Sequence, residues 1–125
     1  MWLKAGELGS AEAYYNLAIN YHNGKGVDAD KRKAKHYFEL AAMNGSSAAR
    51  HSVGLVELEA ENYHRAMRHF LIAAKAGFKD SLDAVKAAFE GGLVTKDEYA
   101  NTLRAYQKIQ DEAKSEMRDK AVVMM

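Results

Sequence analysis

The feature that most restricts how this chain folds is its similarity to itself, repeated at about the length of one helical hairpin. Residues 5–18 (AGELGSAEAYYNLA) align with residues 41–54 (AAMNGSSAARHSVG) at an offset of 36, pairing Gly9 with Gly45, Ser10 with Ser46, Ala13 with Ala49 and Leu17 with Val53. Residues 34–45 (AKHYFELAAMNG) align with residues 66–77 (AMRHFLIAAKAG) at an offset of 32, pairing Ala34 with Ala66, Phe38 with Phe70, Ala41 with Ala73, Ala42 with Ala74 and Gly45 with Gly77. The offsets differ between Tyr21 and Ala34, where the first unit carries NGKGVDAD and the second only EAEN. A loop has shortened; no helix has been lost.

Within each unit apolar residues recur at helical spacing, Leu17 with Tyr21 in one helix and Ala34, Phe38, Ala41 and Ala42 in the next, so a unit is a hairpin of helix A and helix B. The spacing predicts a partial helix at 1–8, A helices at 10–23, 46–60 and 79–90, B helices at 30–44 and 62–76, and a long terminal helix at 96–120. Proline is absent, so the nine glycines supply the turns that end helices. Thr95-Lys96-Asp97-Glu98 forms a capping box at the start of the terminal helix. Ala11, Ala18, Ala34 and Ala42 allow close backbone approach, while Tyr21, Phe38 and Phe70 fill the gaps between hairpins in one continuous core.

The stretch AEAYYNLAINYHNGKGVDADKRKAKHYFELAAMNG resembles one full Sel-one-like repeat, a relative of the tetratricopeptide repeat with a longer inter-helix loop. The likeness rests on Ala11, Ala13, Leu17 and Tyr21 in helix A, the loop Asn23-Gly24-Lys25-Gly26-Val27, Asp30, and Lys33-Ala34, Tyr37, Ala41-Ala42 and Gly45 in helix B. A decayed copy runs through Gly77, with Glu57 where the first unit has Tyr21, and the third copy carries Lys86 at the small-residue position of Ala18 and Gly54. Residues 92–107 look like a terminal extension found in multi-repeat proteins of this family from eukaryotic microalgae. The resemblance implies an all-α protein, an α/α solenoid wound as a right-handed superhelix of helix-turn-helix repeats and closed by a long C-terminal capping helix. Residues 1–94 would form the array, with a partial first repeat, one full repeat and degenerate second and third repeats; residues 95–125 would form the cap and tail. Trp2-Leu3-Lys4-Ala5 resembles the closing half of a helix B, as in a fragment of a longer array. The function implied is that of a scaffold or adaptor for a protein or extended peptide.

In such solenoids the A helices line the concave wall. Leu17, Ala18 and Tyr21 take the structural face, which leaves the stripe Glu12, Tyr15 and Ile19 for the groove, with Ala48, His51 and Leu55 in the second unit and Asp80, Asp83 and Ala87 in the third. The candidate partner-binding residues are Glu12, Tyr15, Ile19, His51, Leu55 and Asp83, a set suited to apolar anchors and a basic group. The competing reading is that Tyr15 and Ile19 only pack between neighbouring A helices.

Other chemistry finds little footing. Eighteen basic residues against seventeen acidic ones give a net charge of +1, which provides no general pull toward nucleic acid. Without cysteine there are no thiolate ligands and no thiol nucleophile. The histidines at 22, 36, 51, 64 and 69 show no metal-ligand spacing, and Gly24-Lys25-Gly26 is too short for a phosphate loop. No catalytic residue, cofactor or metal is therefore expected. The basic run Lys31-Arg32-Lys33 with Lys35 follows Asp28 and Asp30 and reads as a solvated helix face. MWLKAGELG lacks the apolar core of a signal peptide and no run is long enough to span a bilayer, so the cytoplasm is the expected compartment and no membrane partner is expected. Tyr99, Leu103, Tyr106, Ala113 and Met117 follow heptad-like spacing, so the terminal helix either packs on the last repeat or pairs with another chain, and the apolar close Val122-Val123-Met124-Met125 docks or frays. The alternative to a receptor is a structural piece that associates with itself through its N-terminal edge or this helix.

Overall fold

Each hairpin is set by how its helices end. Helix α2 (Lys31–Met43) stops at Asn44, after which Gly45 takes φ +99°; its N–H donates to the Ala42 carbonyl and that of Ser46 to the Ala41 carbonyl, both at 3.0 Å. Such a paired left-handed cap turns the chain sharply while satisfying carbonyls that the helix leaves open. The same pattern closes α4 (Tyr63–Lys75) at Gly77 and α5 (Lys79–Glu90) at Gly92. At the end of α3 (Ser47–Glu59), however, the left-handed position is held by Glu61 with φ 63°, while Asn62 N–H reaches the Glu57 carbonyl at 2.8 Å. The shortened loop keeps the geometry but not the residue that adopts it without strain.

The starts of the helices are equally local. Asp30 accepts from the Arg32 and Lys33 amides at 3.0 and 3.1 Å, and Ser46 from the Ala49 amide at 3.1 Å. Thr95 and Glu98 bond reciprocally at 3.0 and 3.1 Å, completing the expected capping box at the start of α6 (Lys96–Met124). The computed structural model describes residues 2–124, and the side-chain surroundings of residues 10–118. The packing of Trp2-Leu3-Lys4-Ala5 and of the apolar close at 122–125 lies outside the described residues.

The result is an all-α solenoid. Helix α1 (Trp2–Asn23) packs along α2 and α3 along α4; α2 then meets α3, α4 meets α5, and α6 lies against α4 and α5. The expected break between a partial helix at 1–8 and helix A does not occur, because α1 runs unbroken through Gly9. Glycine inside a helix costs only about 1 kcal/mol relative to alanine, and its neighbours Ala5, Glu7, Leu8 and Ala11 favour helix.

The expected continuous core is instead two consecutive clusters. The first joins Ala18, Ala34, Phe38, Ala41 and Ala42 to Ala49 and Val53; the second joins Ala66, Met67, Phe70 and Ala74 to Val85, Ala88 and Val94. Helix α3 connects them, since Val53 belongs to the first while Gly54 lies so close to Phe70 that a Cβ there would stand 2.6 Å from the ring. Beside this link sits a charge: Glu57, 3% exposed, pairs with Lys35 at 2.6 Å and accepts from the Asn62 side chain at 2.9 Å. A buried carboxylate persists only when paired and hydrogen-bonded, and both conditions are met. Lys35 is thus part of the interior bonding, whereas Lys31, Arg32 and Lys33 are exposed. Tyr21 is half-buried and stacks on Tyr37 with ring centroids 5.6 Å apart, so it packs within the first hairpin and not between hairpins.

Leu17 also departs from expectation: it is 39% exposed, while its repeat partner Val53 is 1% exposed. At the repeat positions of Val53 and Val85 the preceding helix B covers the side chain.

Substitutions at two kinds of position test these constraints by chemical denaturation. Ala34→Leu or Ala66→Leu, at positions with no exposed surface, lowers stability by about 1–3 kcal/mol through overpacking; an unchanged midpoint contradicts the close joint. Glu61→Gly removes the left-handed strain and raises stability by roughly 0.5–1 kcal/mol; a loss shows that the loop holds Glu61 for another reason.

Candidate functional site

Because α1 and α3 are held side by side over α2, a cleft of about 230 Å³ opens between them. Ile19, His22 and Asn23 form one wall, Ser52, Leu55, Val56 and Glu59 the other, and Phe38 the floor. The lining is apolar at the centre and polar at the rim. Its volume is below the roughly 300–1,000 Å³ of sites for drug-sized molecules and suits a single anchoring side chain.

The structure brings together only part of the predicted stripe. Ile19 and Leu55 face each other across this cleft. Tyr15 lies one turn before Ile19, half-buried and edge-on to Phe38 at 5.8 Å, and Glu12 is exposed beyond it. Asp83 is exposed on α5 and bound to Lys79 at 3.2 Å, away from the cleft; Asp80 and Ala87 are exposed and Ala48 is half-buried. The Asp83 carboxylate holds the Lys79 ammonium above its ordinary range. His22, Asn23 and Glu59 were missed, although extending the stripe by one more turn reaches His22 and Asn23, and the repeat offset carries Asn23 onto Glu59.

His51 has a different setting. Its Nδ1 lies 2.7 Å from the hydroxyl of fully buried Ser81, and its ring packs on Phe70 and Phe78 at 5.0 and 5.3 Å. It ties α3 to α5. Burial holds its pKa below the usual histidine value, with Asp80 pulling weakly the other way. His69 is shifted down as well, by burial and then by Arg50, and its Nδ1 is buried with no hydrogen-bond partner among the described residues. Glu57 is held below the usual carboxylate range, chiefly by the hydrogen bond from Lys35.

Among the described residues no cluster of histidine and carboxylate side chains has metal-site geometry, and no helix is long and apolar enough to cross a membrane. The architecture is that of a solenoid of α-hairpins with a cleft between successive A helices. The Sel1 repeat profile matches residues 11–46 and again 48–78. The chain therefore belongs to the Sel1 repeat family, whose repeats are generally protein-interaction modules. A crystal structure of a Sel1 repeat protein from Oxalobacter formigenes superposes with a TM-score of 0.63 at 22% identity, over 89% of this chain and 96% of that one. That likeness concerns the fold. No curated protein matches the chain.

The histidine environments give a titration test. A depressed folded-state pKa means that His51 and His69 are bound neutral: their contribution to stability is complete above the unfolded value of about 6.5 and is lost as pH falls toward the folded values. NMR titration should place both below 6.5, with the melting temperature declining as the pH drops through that window; values at or above the ordinary one contradict the packing described.

Proposed function

We propose that this protein is a scaffold that holds an extended peptide segment of a protein partner along its A helices, without turnover. The reading is supported above all by the cleft between α1 and α3, where apolar Ile19, Leu55 and Val56 are left at least partly accessible over the buried ring of Phe38 and beside polar rim groups. Concentrated apolar contact with a polar surround is how a peptide anchor gains affinity. Leu55, 44% exposed, offers its side chain to the cleft. Glu59, at one end of the cleft and 4.0 Å from the exposed Lys31, and Glu12 nearer the start of α1 favour a basic residue beside the anchor. Tyr15 would extend the same wall; His51 and Asp83, if they contribute, would do so from the α3–α5 side. With a net charge of +1 the partner is read as protein, not nucleic acid.

A random-peptide display library selected on the wild-type protein tests this. The expected winners share an aliphatic or aromatic anchor next to lysine or arginine, and lose at least ten-fold in affinity, about 1.4 kcal/mol, against Leu55→Lys at an unchanged melting temperature. Peptides that bind Leu55→Lys as tightly as wild type would remove the cleft from the function.

A further inference from the structure

Charge is divided unevenly between the two kinds of helix. Helix α2 carries four basic residues and one acidic, and α4 three basic and none acidic, while α1, α3 and α5 each carry one more acidic residue than basic. The near-balance of the whole chain therefore conceals a basic B-helix side. On α2 much of the excess is taken up inside the fold: Lys31 reaches Glu59 at 4.0 Å, Lys33 sits over the Tyr21 ring at 5.3 Å, and Lys35 pairs with Glu57 at 2.6 Å. On α4 it is not. Arg65 acts on Glu57, but among the described residues no carboxylate pairs with Arg68, nor with Arg50 near the start of α3. Glu39 and Glu57, the carboxylates whose charge reaches His69 beside Arg68, are both bound to Lys35.

These two guanidiniums accompany an apolar cleft. At the other end of α3 from the Ile19–Leu55 cleft, a space of about 180 Å³ opens between the closing turns of α2 and α4. Ala42, Ile72, Ala73 and Ala76 line it, with Ser47 and Arg50 from the first turn of α3. Ile72 is 50% exposed, and Arg68, also exposed, stands one turn before it on the same side of α4. The walls are three consecutive helices in the middle of the chain, and the two clefts share no lining residue.

We propose that this outer cleft is a second docking site and that it takes an acidic segment of a protein partner, an aliphatic side chain seated against Ile72 and Ala73 with carboxylates on either side meeting Arg50 and Arg68. A planar guanidinium grips a carboxylate through two parallel hydrogen bonds, which suits arginine to this role. An apolar anchor set between acidic residues fills the cleft and answers both charges at once. A nucleic acid strand would meet the charges but not the cleft, and no aromatic side chain lines it on which a base could stack. The inner cleft favours a basic segment and the outer one an acidic segment, so one copy of the chain holds two different partners on separate surfaces.

A display library of peptides with one fixed aliphatic residue among random positions tests this, selected on protein carrying Leu55→Lys so that the inner cleft is out of play. The enriched peptides should place aspartate or glutamate on both sides of the anchor. By fluorescence anisotropy they should bind wild type and Leu55→Lys equally, and lose about ten-fold or more in affinity against Arg68→Glu, Arg50→Gln or Ile72→Asp. Arg68 and Ile72 are exposed, so those two variants should keep the wild-type melting temperature and helical content. Selection that enriches nothing, winners without acidic residues, or binding unchanged by Arg68→Glu overturns the proposal. So does displacement of the peptides by an equal concentration of a short oligothymidylate, which would assign the face to nucleic acid.

Discussion

The joint between one hairpin and the next carries the rest of this structure. A single A–B pair has no means of covering the side of helix A that bears Ala49 and Val53, or Val85 and Ala88; the preceding helix B covers it with Ala34, Phe38, Ala41 and Ala42, or with Ala66, Phe70 and Ala74. Burying one valine is worth about 1.5–3 kcal/mol, so a few such residues per joint decide whether a hairpin of short helices persists. Small residues at Ala34, Ala66 and Gly54 bring the backbones close enough for Phe38 and Phe70 to fill the space between them.

The cleft follows from that geometry. Once α2 fixes α1 and α3 on either side of Phe38, the A helices stand apart at their outer edges and leave Ile19 and Leu55 facing an open channel. Between the second pair of A helices His51 on α3 reaches Ser81 on α5, a side-chain link that Tyr15 and Ala49, at the equivalent positions of α1 and α3, cannot make.

Much of this was legible in the sequence. Most helix limits came out within a residue or so, with Thr95 at the start of α6 and Gly45, Gly77 and Gly92 at the ends, because caps are local chemistry; the break expected before residue 10 and the end of the terminal helix, expected at 120 and found at Met124, did not. What the sequence concealed depends on neighbours. Leu17 and Val53 are the same repeat position, yet one is open and the other covered. His51 sits on the predicted groove stripe, but a serine thirty residues away captures it. Glu57 stands out as a departure from Tyr21, and nothing in its local sequence signals that Lys35 on another helix would make its burial tolerable.

A solenoid stabilised by nearest-neighbour joints should be strongest where a hairpin has neighbours on both sides. Residue-resolved hydrogen exchange measures this directly. The amides of α3 and α4 should exchange slowest, with protection falling toward the start of α1 and along the outer half of α6. Equal protection across all six helices, or slowest exchange in α1, would contradict an architecture held together by its joints.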